Sequence, residues 1–166
     1  MKRFLAVLLL MVFLTGCSTQ QTMETITDIL DVSATAKVQQ IQLSLPEEAA
    51  LATLENEDTG KLYLCDGYSI AVQTMESGDL DRTLRQTTGF SREQLTVITT
   101  QREDFVRYDC AWSAVGEGGD QTCRGAVLDD GYYHYVITVM ADADKAGRLN
   151  ATWQHILDSA ALVSTD

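Results

Sequence analysis

The sequence predicts an α+β domain: an antiparallel sheet of about six or seven strands, containing a meander, with helices packed on it. Three observations lead there. β-rich runs alternate with tight glycine turns, at Asp66-Gly67, Glu117-Gly118-Gly119-Asp120 and Asp129-Asp130-Gly131. Leu80 and Leu84 repeat at helical spacing between two such runs. A helical stripe of Leu149, Trp153, Ile156, Leu157 and Ala160 closes the chain.

The first residues stand outside this fold. Met1-Lys2-Arg3 is basic, and Phe4 to Leu14 is an unbroken apolar run. Such a run suits the apolar core of a signal peptide and is too short to span a bilayer as a helix. Leu14-Thr15-Gly16-Cys17 follows directly. These four residues resemble the lipobox of bacterial lipoproteins. The resemblance implies that 1–16 is a cleaved signal peptide and that Cys17 carries a diacylglyceryl group at the mature N-terminus. Several acyl chains on one residue give the stable anchoring that a single chain does not. The implied location is the extracytoplasmic face of a cell membrane or outer membrane. Ser18 lacks the acidic character that retains some lipoproteins at an inner membrane.

Residues 17–35 read as a tether. Ser18 to Thr22 is polar and aperiodic. Ile26, Ile29 and Leu30 allow two readings, a short helix on the domain or apolar residues in a mobile arm.

The single domain spans 36–163. Lys37 to Leu45 alternates toward Pro46 and predicts a strand. Glu47 to Leu54 predicts a short helix, since proline suits a first helical turn. Asn56 to Gly60 is a turn. Leu62–Cys65 and Tyr68–Gln73 predict a hairpin about Asp66-Gly67. Gly78-Asp79 opens a helix and Gly89 stops it. Leu95–Thr100, Phe105–Val115, Thr122–Leu128 and Tyr132–Met140 predict four strands, the last three a meander. Asp142 or Asp144 caps the C-terminal helix, whose Trp153 face packs on the sheet.

This element order is similar to the PsbP/Mog1-like α/β/α sandwich. The features that carry it are the strand ending at Leu45-Pro46, the Asp66-Gly67-Tyr68 hinge, the meander and the C-terminal amphipathic helix. The resemblance implies a non-enzymatic accessory or binding protein, although fold alone does not fix function.

Charge narrows the function. Lys and Arg number 12, Asp and Glu 24, for a net charge of −12. Removing Lys2 and Arg3 with the signal leaves 10 against 24, or −14. Such a domain does not bind nucleic acid, which needs clustered cations. It does not adhere to anionic lipid by charge either. Membrane contact is expected only through the lipid anchor, alongside an unidentified protein or small-molecule partner.

No catalytic constellation is legible. Serine elbows, Ser-x-x-Lys, calcium loops and zinc spacings are all missing from the sequence, so neither a metal nor a cofactor is expected. Cys65, Cys110 and Cys123 remain beside Cys17. A hairpin centred between Gly116 and Glu117 sets Cys110 opposite Cys123, within disulfide reach and worth about 3 kcal/mol. The alternative is two reduced, packed thiols. Cys65 reads as a small buried apolar residue.

His134, Tyr132 and Trp112 are the candidate ligand-binding residues, because aromatic side chains offer large contact area at low entropy cost. His134 has a second reading, a core histidine with one hydrogen bond. The expectation is a non-catalytic lipoprotein. The alternative is a hydrolase-like enzyme using His134 with a carboxylate such as Asp109 or Glu103.

Overall fold

A computed structural model describes residues 37–52, 60–116 and 118–164. The order is β1 (Gln40–Gln42), β2 (Ala50–Leu51), β3 (Lys61–Cys65), β4 (Tyr68–Glu76), α1 (Leu80–Thr88), β5 (Ile98–Gln101), β6 (Val106–Gly116), β7 (Gly119–Asp129), β8 (Tyr133–Asp142), α2 (Ala143–Asp158) and β9 (Ala161–Val163). Seven strands form an antiparallel sheet in the order β2-β3-β4-β8-β7-β6-β5. β1 pairs with β9 in a separate two-stranded ribbon.

Local chemistry sets the turns. Cys65 pairs with Tyr68 around Asp66-Gly67, where Gly67 has a φ of 79°. That left-handed conformation costs glycine little. Asp79 caps α1 by accepting from the Asp81 N–H, and Gly89 ends it at a φ of 81°. Asp142 does not cap α2 with its side chain; it accepts from Lys145 Nζ instead.

Strand alternation then divides the apolar residues between two layers. Tyr135, Ile137 and Val139 of β8 join Ala126 and Leu128 of β7 beneath Trp153, Ile156 and Leu157 of α2. Val136 and Val127 point the other way and pack under Leu80 and Leu84 of α1. The result is a three-layer α/β/α sandwich. Among the described residues, no helix is long and apolar enough to cross a membrane.

Two elements differ from expectation. Glu47 to Leu54 is not a helix over its described part: residues 47–48 turn, and Ala50–Leu51 pair with Leu64 and Tyr63. An edge pairing overrides the local helical preference of Glu-Glu-Ala-Ala. β9 was not expected, since three residues carry little pattern; its partner β1 defines it. The tether with Ile26, Ile29 and Leu30, and most of the Asn56–Gly60 turn, lie outside the described residues.

The approach to β1 is pinned by Asp130 in the β7–β8 turn. Its carboxylate accepts from the backbone N–H groups of Tyr132 and Tyr133, from Tyr135 Oη and from Gln39 Nε2. The Gln39 N–H donates to Tyr135 Oη at 2.9 Å, closing the network. Burial pushes the Asp130 carboxyl up, but these hydrogen bonds outweigh it and hold the group below its ordinary value. Burial pushes the Tyr135 hydroxyl up to about 12, so it stays a donor.

A carboxyl depressed by folding contributes stability above its unfolded value, about pH 4, and loses it as pH falls through the folded value. Thermal melts from pH 7 to pH 2.5 are therefore expected to show Asp130→Asn below wild type at neutral pH. The gap should close in acid. A constant gap would mean that the ionised carboxylate is not what stabilises the turn.

Candidate functional site

His134 is the side chain best suited to acid–base chemistry by sequence, and the fold encloses it. It sits near the start of β8 on the α1 face and is fully buried. Thr83 of α1 lies 2.7 Å from Nδ1. Nε2 faces Ser77 Oγ at 3.4 Å and Asp129 Oδ2 at 3.5 Å. Ser77 Oγ donates to Asp129 Oδ1. A carboxylate only accepts, so the network assigns the proton to Nε2 and has Thr83 donate to Nδ1. The carboxylate beside the ring is thus Asp129. Asp109 points to the opposite face of the sheet, where it binds Arg107, and Glu103 is exposed before β6.

The three candidate binding residues do not converge. Tyr132 is half exposed in the β7–β8 turn. Trp112 pairs with Cys123 toward the other end of the meander and lies against Gly125. A Cβ on Gly125 would sit 3.2 Å from the indole, so the glycine makes room for the ring. Trp112 is only 9% exposed.

The cysteine pairing expected from sequence is not formed: Cys65, Cys110 and Cys123 are free. The hairpin closes with Gly116 facing Gly119, so Cys110 lies opposite Gly125 and Cys123 opposite Trp112. Moving the turn centre by one residue leaves the two cysteines diagonal, where Cα atoms stand about 7–8 Å apart, beyond disulfide reach. Burial pushes the Cys110 thiol up to about 11, with Asp109 adding to the effect, so it is protonated and a poor nucleophile at neutral pH. Burial also raises the Cys123 thiol. Among the described residues, no group of three or more His, Cys, Asp or Glu is placed to hold a metal.

Open concavity lies elsewhere. A groove of about 550 Å³ runs between the C-terminal half of α2 and the β5–β6 edge. Ile98, Ala111 and Leu157 provide its apolar surface; Arg124, Gln154 and Asp158 stand at its rim. Ile98 is 63% exposed there. Arg107 forms one wall and is itself buried. Its Nε donates to both Asp109 oxygens at 3.0 and 2.8 Å, and its Nη1 donates to the Leu157 carbonyl at 2.7 Å. The same carbonyl accepts from the Ala160 N–H at 3.3 Å, and a guanidinium at a helix C-terminus suits the helix dipole. Arg107 thus fixes the end of α2 against the sheet and shapes the groove. Arg107 was overlooked as a site residue and Asp109 was considered only as a partner of His134, though their spacing of two on an expected strand places both on one face. A smaller groove, of about 350 Å³, lies beneath β1 and is lined by Ile41, Leu43, Tyr63 and Val72 among others.

Comparison with solved structures decides the fold family. The domain is similar to cyanobacterial PsbP from Synechocystis sp. PCC 6803, with a TM-score of 0.55 and 10% identity over 77% of this chain and 95% of that one. It is similar to the Ran-binding protein Mog1p of Saccharomyces cerevisiae, with a TM-score of 0.52 and 14% identity over 78% and 97% of the two chains. The fold is PsbP/Mog1-like. A third similarity is to LpqN of Mycobacterium tuberculosis, with a TM-score of 0.48 and 13% identity over 76% and 85%. Residues 1–18 match the family described as the prokaryotic membrane lipoprotein lipid attachment site. No curated protein matches the sequence. The PsbP/Mog1-like domain therefore follows a lipoprotein attachment site, which directs lipid anchoring on the extracytoplasmic side of a membrane.

Two outcomes are expected. Cys17→Ala should abolish incorporation of a labelled fatty-acid precursor; undiminished labelling would place the lipid elsewhere. His134→Ala should lower stability by roughly 2–4 kcal/mol, since it empties a packed site and removes the ring that the buried Thr83 hydroxyl bonds. An unchanged denaturant midpoint would show that His134 does not support the core.

Proposed function

We propose that this protein is a membrane-tethered, non-catalytic docking domain of the cell envelope, using the groove between α2 and the β5–β6 edge. The observation that carries the reading is a contrast in access. His134 is sealed under α1, whereas the groove is open and built for contact: apolar surface at Ile98, Ala111 and Leu157, with charge at its rim. An apolar centre with a polar rim is the usual composition of a docking site. The Cys110 thiol there is held protonated by burial, and the carboxylate of Asp109 is committed to Arg107. A hydrolase reading through His134 would require α1 to move aside, breaking the contacts of Thr83 and Leu84. The lipid anchor supports a role at the membrane surface, and the acidic charge keeps the domain off anionic headgroups.

The test replaces Ile98 with a photoreactive benzoylphenylalanine in the full anchored chain, illuminated in intact cells. A discrete adduct is expected from position 98 and none from exposed Leu64 on the opposite face. No adduct at 98, or the same adduct at both, overturns the reading.

A further inference from the structure

The two strands that end the sheet beside the groove differ in length. β6 has eleven residues, and β5 covers only Val106 to Asp109. Cys110 to Gly116 therefore forms a free edge, paired on its outer side with no described residue. Arg102 N–H donates to the Phe105 carbonyl across the β5–β6 turn, so the backbone of Phe105 points toward β5. Backbone direction alternates along an antiparallel strand. The N–H and C=O groups of Ala111, Ser113 and Val115 therefore point outward from the free edge. Their side chains share the α2 face with Arg107. All three residues are exposed, and Val115 is 86% exposed. Native edges are normally blunted by lysine, proline or a bulge. Here the pairing with β7 is continuous, and the outward residues are two apolar side chains about a serine.

We infer that this edge pairs with the same edge of a second copy of the chain, about a two-fold axis at Ser113. The inference rests on the docking reading and names its partner. Self-complementarity selects the occupant. In an antiparallel pairing centred on Ser113, Ala111 meets Val115 of the second copy and Ser113 meets Ser113. Every outward backbone group on both edges is then used, giving three hydrogen-bonded pairs and about six new hydrogen bonds. A centre at Ala111 runs into β5, and a centre at Val115 runs off the hairpin tip. The same register places the exposed Val115 of each copy beside Ala111 of the other, at the groove where Ile98 is exposed. One operation thus covers both apolar side chains. Each copy's stepped edge fits the other, with β5 at either end. The two β7 strands then stand three strand spacings apart, about 14 Å, which leaves room for the α2 helices on one face. Isologous closure stops at two copies, so the edge does not propagate into fibres. An interface of one strand pair is small, and two acidic domains repel each other. Confinement of both chains by their lipid anchors supplies the effective concentration that offsets this.

The test uses the full lipidated chain in bacterial membranes. Ser113→Cys, oxidised with copper phenanthroline, is expected to give a disulfide-linked product of twice the monomer mass. Wild type and Leu51→Cys, on the opposite sheet edge, should give none. Adding Val115→Lys to Ser113→Cys should remove the product while leaving the melting curve in place, because position 115 is exposed. Absence of the Ser113→Cys product overturns the inference. So does a product of equal yield from Leu51→Cys, or one that Val115→Lys leaves unchanged. An Ile98 photo-adduct with a different protein, together with no Ser113→Cys dimer, would keep the docking reading and defeat self-pairing. An extended segment of that other chain would then be the occupant of the edge.

Discussion

The structure depends on burying β8 on both faces. Tyr135, Ile137 and Val139 need cover on one side, and His134, Val136 and Thr138 need it on the other. A strand of this kind cannot lie at the edge of a sheet, nor with one face in water. It is placed between β4 and β7, with α2 over one face and α1 over the other. His134 is buried by this arrangement, and its hydrogen bonds to Thr83 and Ser77, with the Asp129 carboxylate 3.5 Å from Nε2, satisfy a polar group that the layer cannot leave unpaired. The histidine is thus explained by packing.

What β8 centralises, β5 and β6 leave open. The meander spends its long strands in the middle, and β5 is too short to cover β6. Arg107 compensates at one end by gripping Asp109 and the Leu157 carbonyl, which secures the C-terminus of α2 over the sheet. Beside Arg107 the groove opens between the helix and the strands. Groove and free edge have one cause, a length mismatch between neighbouring strands.

Much of this was legible in the residues, for local reasons. Asp66-Gly67 fixes a two-residue turn, Asp79 and Gly89 bracket α1, and the stripe from Leu149 to Ala160 marks the buried face of α2. The lipobox was legible because a modifying enzyme reads a short linear motif. Legibility failed where several local solutions compete. Gly116, Gly118 and Gly119 all permit a turn, and the choice of centre decides whether Cys110 meets Cys123. Glu47 to Leu54 favours a helix until β3 offers Ala50 and Leu51 a partner. β9 has no pattern of its own, and only the distant β1 makes it a strand.

The sequence by itself determined the lipid attachment site, the acidic charge, the turns and the two-faced alternation of the strands. Each is encoded within a few neighbouring residues, or in a sum over all of them. The tertiary structure alone decided that β4 pairs with β8, that Asp129 and Thr83 enclose His134, and that Arg107 closes on α2 while β6 keeps an open edge. These depend on contacts between residues up to 71 positions apart, as between Ser69 and Met140. Such contacts are selected by the joint burial of both sheet faces, which no local window of sequence contains.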